Sequence, residues 1–391
     1  KILTFSHQVR GSIAFSVNDK PLKARAIIIS VDGTASTYWA KTDGTRNNRK
    51  TKRYSATVKY VAGEAVVWLP TGGESTGHIP IGTHNFPFTF LLPANCPPSF
   101  EGNLGRIRYF CKAKIDRPWK VDHSTMQPFT VVPISDLNLV QNVALPVTIE
   151  ESKELGMCFF KNGNINYTVK LLQGGYVPGD NIVVEADIVN DSTKPISKIE
   201  LKIFQWSTFL AFRDGYECSG AVPSTPYKRS REQTYFNIIE EFKEKIEIRN
   251  GERQQFSRMI SVPPAVPTFG SFAISVKYSV QITITAKGTI NSKLRSYLPF
   301  VMGTIPLRNC NTTASVPQDP SLVGIPPPVG MSSVSGMPPP VGMPPLHGSM
   351  QPNYDVPPPA YEGCVYGKGT NTGEEENKDF VSVAASAPPQ E

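Results

Sequence analysis

Pro358-Pro359-Ala360-Tyr361 is the sharpest piece of recognition chemistry in this sequence of 391 residues. Adjacent prolines pre-set an extended polyproline II conformation, so little conformational entropy is lost on docking. Two proline rings can lie against an aromatic groove while Tyr361, one left-handed turn after Pro358, enters a neighbouring pocket. This is the PPxY pattern, and WW domains are its expected readers. The chemistry is binding, not bond-making. Upstream, Pro326-Pro327-Pro328-Val329-Gly330-Met331 recurs as Pro338-Pro339-Pro340-Val341-Gly342-Met343. These glycine-interrupted runs read as spacers. Pro352-Asn353-Tyr354 is at best a degenerate second motif, so avidity must come from other contacts.

Residue types suited to covalent or metal chemistry lack the spacing that chemistry needs. The six cysteines, Cys96, Cys111, Cys158, Cys218, Cys310 and Cys364, form no CxxC pair. That argues against a zinc site and against a disulfide scaffold, and it fits free thiols in a reducing compartment. Cys111 sits mid-strand between Phe110 and Lys112, Cys96 in a proline-rich turn, and neither has a histidine nearby in sequence to activate it. His78 and His84 flank Pro80 and Gly82 and read as loop positions without a metal. No GxGxxG, P-loop or GxSxG motif occurs. Neither enzyme activity nor a cofactor is therefore expected.

One basic run stands out: Arg46, Arg49, Lys50, Lys52 and Arg53, five positive charges in eight residues. It falls between a strand ending near Trp39 and another beginning near Tyr54, so it is expected to be a loop. It is either simply solvated or a contact for acidic lipid headgroups or phosphorylated partners. No aromatic residue is interleaved, so nucleic acid is not an expected partner.

The elements that must carry these residues fall into two unlike parts. Residues 311–391 hold 16 of the 36 prolines and no Trp, with two lysines against eight acids, a net charge of −6. The other 310 residues carry 38 basic and 25 acidic side chains, a net +13. A segment of the tail's composition cannot repay its ordering entropy and is expected to be disordered. No apolar run approaches the roughly 18 residues of a membrane-spanning helix. In the body, period-two alternation dominates. Ile13, Phe15 and Val17 alternate with polar residues, as do Phe242, Ile246 and Ile248 before the turn Asn250-Gly251. From Val276 to Thr285 the same alternation predicts one buried and one wet face. Frequent Gly and Pro exclude long helices, and the body reads as all-β.

The body also repeats itself. Lys20-Pro21 returns as Lys194-Pro195, Phe100 as Phe269, Tyr109 as Tyr278, and Pro128-Phe129 as Pro299-Phe300, at offsets of 174, 169, 169 and 171 residues. A period near 170 is too long for a solenoid and right for a duplicated domain. The expected organisation is a first β-sandwich over 1–135, a linker over 136–155, a second sandwich over 156–308, and the proline-rich tail over 309–391.

The same residues resemble the α-arrestins, or arrestin domain-containing proteins. The resemblance runs through Lys20-Pro21-Leu22-Lys23-Ala24-Arg25, Gly82-Thr83-His84-Asn85-Phe86-Pro87-Phe88 and Ser99-Phe100-Glu101-Gly102. It continues in Ile107-Arg108-Tyr109 and Ala113-Lys114-Ile115-Asp116-Arg117-Pro118-Trp119. The second domain adds Gly175-Tyr176-Val177-Pro178-Gly179-Asp180, Val276-Lys277-Tyr278, Pro299-Phe300 and Gly303-Thr304-Ile305-Pro306-Leu307. The match spans roughly residues 9 to 308. Each motif also has a structural account. The Tyr176–Asp180 stretch reads as a turn, and Pro118 ends a strand, with Trp119 expected to pack on the sheet and Arg117 to pair with a carboxylate. One departure is the replacement of the Pro-Gly-Glu-like turn before Val9 by Ser6-His7-Gln8, with no strand expected ahead of it, so the first domain is expected to be incomplete there.

The resemblance implies two tandem immunoglobulin-like β-sandwiches of arrestin type and a non-enzymatic adaptor. Its implied partners are WW-bearing, HECT-type ubiquitin ligases and transmembrane receptors or transporters as cargo. The implied location is cytoplasmic, peripheral to plasma membrane and endosomes. Two other readings stay open: an arrestin-fold sorting scaffold that recruits no ligase, and a secreted two-sandwich ectodomain, which disulfides among Cys96, Cys111, Cys158 and Cys218 would favour.

Overall fold

The computed structural model describes residues 2–3, 8–44, 49–157, 160–213, 215–219, 230–288, 292–308 and 382–384. Among these, the regular elements are β-strands and two short 3-10 turns, Thr71–Gly73 and Leu137–Leu139. The alternation seen in the sequence becomes burial. Ile13, Phe15 and Val17 point into the core from the strand Gln8–Val17, which pairs antiparallel with Gly82–Leu91. The long strands Ala26–Asp43 and Lys50–Trp68 pair along their length and bury Ile27, Ile29, Val31, Val58 and Val61. Gly105–Asp116 and His123–Val131 complete that sheet, placing Ile107, Tyr109 and Ile115 in the same core.

The second sandwich sets a sheet of Val147–Met157, Phe160–Leu171, Asn181–Ser192 and Arg253–Ser261 against Ile196–Arg213, Ser230–Ile248, Ile274–Ala286 and Lys293–Met302. The two sandwiches share one continuous sheet, because Phe212 and Arg213 pair with Ser55 and Tyr54. Around that joint Phe100 packs on Phe209 and Phe269, and Phe212 packs on Tyr216 and Phe272. Thr37 Oγ1 donates to the Leu210 carbonyl at 2.7 Å, tying the sandwiches directly.

The internal repeat is reproduced atom for atom. Tyr109 Oη donates to the Pro97 carbonyl and Tyr278 Oη to the Val266 carbonyl, each at 2.6 Å and each twelve residues back. Ser99 Oγ accepts from the Val131 amide at 3.0 Å, and Thr268 Oγ1 from the Met302 amide at 2.9 Å. The rings of Phe129 and Phe300 stand 5.8 and 5.7 Å from those of Tyr109 and Tyr278. Both phenols are buried, and a buried hydroxyl left without a partner is costly, so each copy keeps the same acceptor. The duplication is therefore one of packing as well as of sequence.

Four expectations need correction. A strand does precede Val9: Ile2–Leu3 runs parallel to Thr130–Val131, the counterpart of Gly175–Tyr176 beside Val301–Met302. The expected linker is shorter than 136–155, because Val147–Met157 is already a strand of the second sandwich. Its alternation is hidden because Glu151 and Lys153 share the Val147–Ile149 face, 2.8 Å apart, with Tyr167 donating to the carboxylate at 2.8 Å. The predicted wet face of Val276–Thr285 is covered. Ser279, Gln281 and Thr283 are buried, and Trp206 Nε1 donates to Ser279 Oγ at 2.8 Å. Lastly, the tail is not wholly outside the sheets, since Ser382–Ala384 pairs antiparallel with Ser12–Ala14 at the free edge of Gln8–Val17.

Candidate functional site

Pro358, Pro359 and Tyr361 lie outside the described residues, as does Arg46. The rest of the basic run does not form the expected loop. The two long strands extend to Asp43 and back to Lys50, so Lys50, Lys52 and Arg53 sit on a paired ladder. Cross-strand pairs explain the extension. Thr42 and Thr51 hydroxyls meet at 3.1 Å, and the Trp39 and Tyr54 rings stack with centroids 5.8 Å apart. The ladder places Lys41 opposite Lys52. Asp43 reaches both, at 3.7 and 2.9 Å, and the Lys52 ammonium holds its carboxyl below the usual range. Strand pleating divides the cluster: Lys50 and Lys52 share a face, and Arg53 takes the other. The outcome is a projecting arm with exposed Arg49, Lys50 and Arg53. Each face of the arm therefore carries its own cations, able to take phosphate oxygens by charge-assisted hydrogen bonds.

At the opposite end of this sandwich the strand Gly105–Asp116 turns through Arg117-Pro118-Trp119-Lys120-Val121-Asp122. Trp119 does not pack on the sheet; it is fully exposed with φ of 59°. Arg117 does not take a carboxylate through its side chain. Its guanidinium meets His123 Nε2 at 2.5 Å, and its backbone amide donates to Asp122 Oδ1 at 2.9 Å. Asp116 is claimed instead by Arg25 at 2.9 Å, a partner 91 residues away that only tertiary structure reveals.

Another surface escaped the sequence reading. Phe204, Trp206, Phe236 and Tyr297 form an aromatic shelf over the outer face of the second sandwich, with centroid spacings of 5.3 to 5.9 Å. Phe236 and Tyr297 are exposed on it. The signal was available: Phe204 and Trp206 fall two apart on the face that alternation assigns to solvent.

The groups considered for catalysis are otherwise occupied. Cys96, Cys111 and Cys218 are free thiols, and Cys158 lies outside the described residues. Burial pushes the Cys111 thiol up to about 11, which suppresses the thiolate a nucleophile needs. His84 stacks on Phe86 and lies tilted against Phe15, and its Nε2 meets the Pro80 carbonyl at 2.8 Å. Among the described residues no three His, Cys, Asp or Glu side chains gather to hold a metal ion. A pH prediction follows from Cys111. The unfolded thiol ionises near 9.0 and the folded one near 11, so the unfolded state loses its proton first. This contribution to stability is complete below pH 9 and falls as pH rises toward 11. Urea midpoints measured across that window should drop, and Cys111→Ala should flatten the drop.

Comparison with known proteins agrees with this architecture. Residues 4–138 match the family described as Arrestin (or S-antigen), N-terminal domain, and residues 161–307 match its C-terminal domain. Arrestin domain-containing protein 17 of Caenorhabditis elegans is 28% identical over 309 residues, covering 76% of this chain and 67% of that protein. Human arrestin domain-containing protein 4 is 28% identical over 303 residues with the same coverage of each. Mouse arrestin domain-containing protein 1 is 30% identical over 258 residues, covering 63% of this chain and 53% of the relative.

Proposed function

The chain belongs to the arrestin family, as an arrestin domain-containing protein, and on that footing we propose that it is a non-enzymatic adaptor for ubiquitin ligases. The paired sandwiches hold a transmembrane receptor or transporter. Pro358, Pro359 and Tyr361 bring a WW-domain, HECT-type ligase to it, promoting cargo ubiquitination, endocytosis and endosomal sorting. The observation that carries this reading is the PPxY tetrapeptide in a proline-rich segment beyond the last sandwich strand. The chain length between Leu307 and Pro358 sets the effective ligase concentration at cargo lysines. Arg49, Lys50, Lys52 and Arg53, which follow Arg46 in the same basic run, offer their charges to a phosphorylated cargo tail. The working location is the cytoplasmic side of plasma membrane and endosomes.

Affinity capture from cytosolic extract tests the proposal. The intact chain should recover HECT-type ligases, and the double variant Pro358→Ala/Tyr361→Ala should recover about tenfold less or none, since such motifs concentrate their binding energy in a few anchors. Cargo capture should be equal for both. Equal ligase recovery would remove the ligase role and leave a sorting scaffold of arrestin fold.

A further inference from the structure

We propose that the turn Arg117–Asp122 is a membrane-insertion tip, with Trp119 and Val121 entering the interfacial layer of a bilayer and Lys120 meeting its anionic headgroups. Three observations carry it. The first is exposure. Trp119 is 100% and Val121 88% exposed, on a two-residue spacing that straddles Lys120. Neither side chain contributes appreciably to the core. An exposed Trp flanked by a lysine suits the boundary between hydrocarbon and water, where its ring is buried and its N–H stays wet.

The second is backbone conformation. Trp119 occupies the left-handed region, which a bulky L residue rarely adopts and which Asn or Gly tolerates better. A strained residue whose ring gains no packing is held there for something outside the fold. The third is charge. The two acids nearest the tip are neutralised from within. Arg25 lies 2.9 Å from Asp116, and Lys114 lies 3.4 Å from Asp122, which also accepts the Arg117 amide. The turn therefore presents Trp-Lys-Val to its surroundings.

The surroundings extend this apolar end. His123, Ile115, Ile27 and Trp68 form one register row across the sheet. Just beyond that row lie the turn and Leu69, and both crossovers between the sheets, residues 18–25 and 69–81, lie at the same end. Leu69 and Ile81 are 61% and 56% exposed in these crossovers, which also carry exposed Lys20 and Lys23, with Asp19 and Glu74 as the opposing acids. The basic arm sits at the other end of the 18-residue strand Ala26–Asp43, about 55 Å away at the usual rise of a strand. A flat bilayer that meets the tip end-on does not reach the arm. The tip is thus a second surface, independent of ligase recruitment.

Flotation of the full chain with vesicles of three parts phosphatidylcholine to one part phosphatidylserine tests the inference. The intact chain should float, and brominated acyl chains should quench part of its tryptophan emission. Trp119→Asn/Val121→Ser should lower the vesicle-bound fraction by about tenfold, because partitioning follows buried apolar area. It should also abolish the quenching. Asn suits the backbone conformation, so the thermal midpoint should stay level or rise, separating lost insertion from lost folding. Arg49→Glu/Arg53→Glu should float normally. Failure of the intact chain to float, equal flotation of the tip variant, or loss of flotation through the arm variant alone would each overturn the inference.

Discussion

Tyr109→Ala is expected to lower the unfolding free energy by about 4 kcal/mol, the usual cost of emptying a fully buried aromatic position. The ring is inaccessible to solvent, packs on Phe129, and anchors the Pro97 carbonyl. Gly33 makes the space for it: a Cβ there would stand 2.4 Å from the Tyr109 ring, at a point where the register of Ala26–Asp43 shifts. Tyr109→Phe removes only the hydroxyl and strands a buried acceptor, for a loss of about 1 to 2 kcal/mol. Because Tyr278 repeats the bond to Val266 and the contact to Phe300, Tyr278→Ala should cost a similar amount. Urea titration followed by circular dichroism reads both. A Tyr109→Ala loss under 1 kcal/mol would mean that the repeated tyrosine is not a keystone of either sandwich.

Phe209→Ala should cost about 3 to 4 kcal/mol and also loosen the joint between the sandwiches. Phe209 is fully buried on Ile196–Arg213, 6.4 Å from Phe100 of the first sandwich and 6.3 Å from Tyr235 of the second. Gly102 leaves room for this contact, since a Cβ there would lie 2.7 Å from the rings of both Phe100 and Phe209. Other ties are the Thr37 hydroxyl on Leu210, the Thr57 amide on the Tyr216 carbonyl, and the short ladders of Ser55 with Phe212 and of Thr57–Lys59 with Glu217–Ser219. The shared sheet predicts a single calorimetric transition for the intact chain, and with the aromatic contact gone the two sandwiches should unfold in two steps. A single undivided transition with an unchanged midpoint would place the coupling elsewhere.

How far the fold was legible depended on which faces the core dictates. Where one face is buried, as in Gln8–Val17, period two is unavoidable and the strand is read correctly. The duplication was legible for the same reason: Tyr109 and Tyr278 need their acceptors at fixed distance, so their spacing survives. Val147–Met157 was missed because paired Glu151 and Lys153 replace apolar residues on the inward positions. The wet face predicted at Ser279, Gln281 and Thr283 was wrong because neighbouring strands supply Trp206 and Tyr297 to cover it, a fact of sheet order that local sequence does not carry. Trp119 was misplaced for a related reason. A Trp beside a strand end is ordinarily core, and only the turn's geometry shows the ring aimed outward. The basic run was legible as charge, while its division between two faces of a ladder waited on the register of Asp43 with Lys50. The PPxY reading of Pro358, Pro359 and Tyr361 rests on sequence alone, since these residues lie outside the described ones.

Calorimetric titration of a WW domain into the full chain and into Tyr361→Ala tests the adaptor reading most directly. The account predicts saturable one-site binding to the intact chain, no measurable binding to the variant, and identical sandwich unfolding for the two proteins. Equal affinity for both would contradict it.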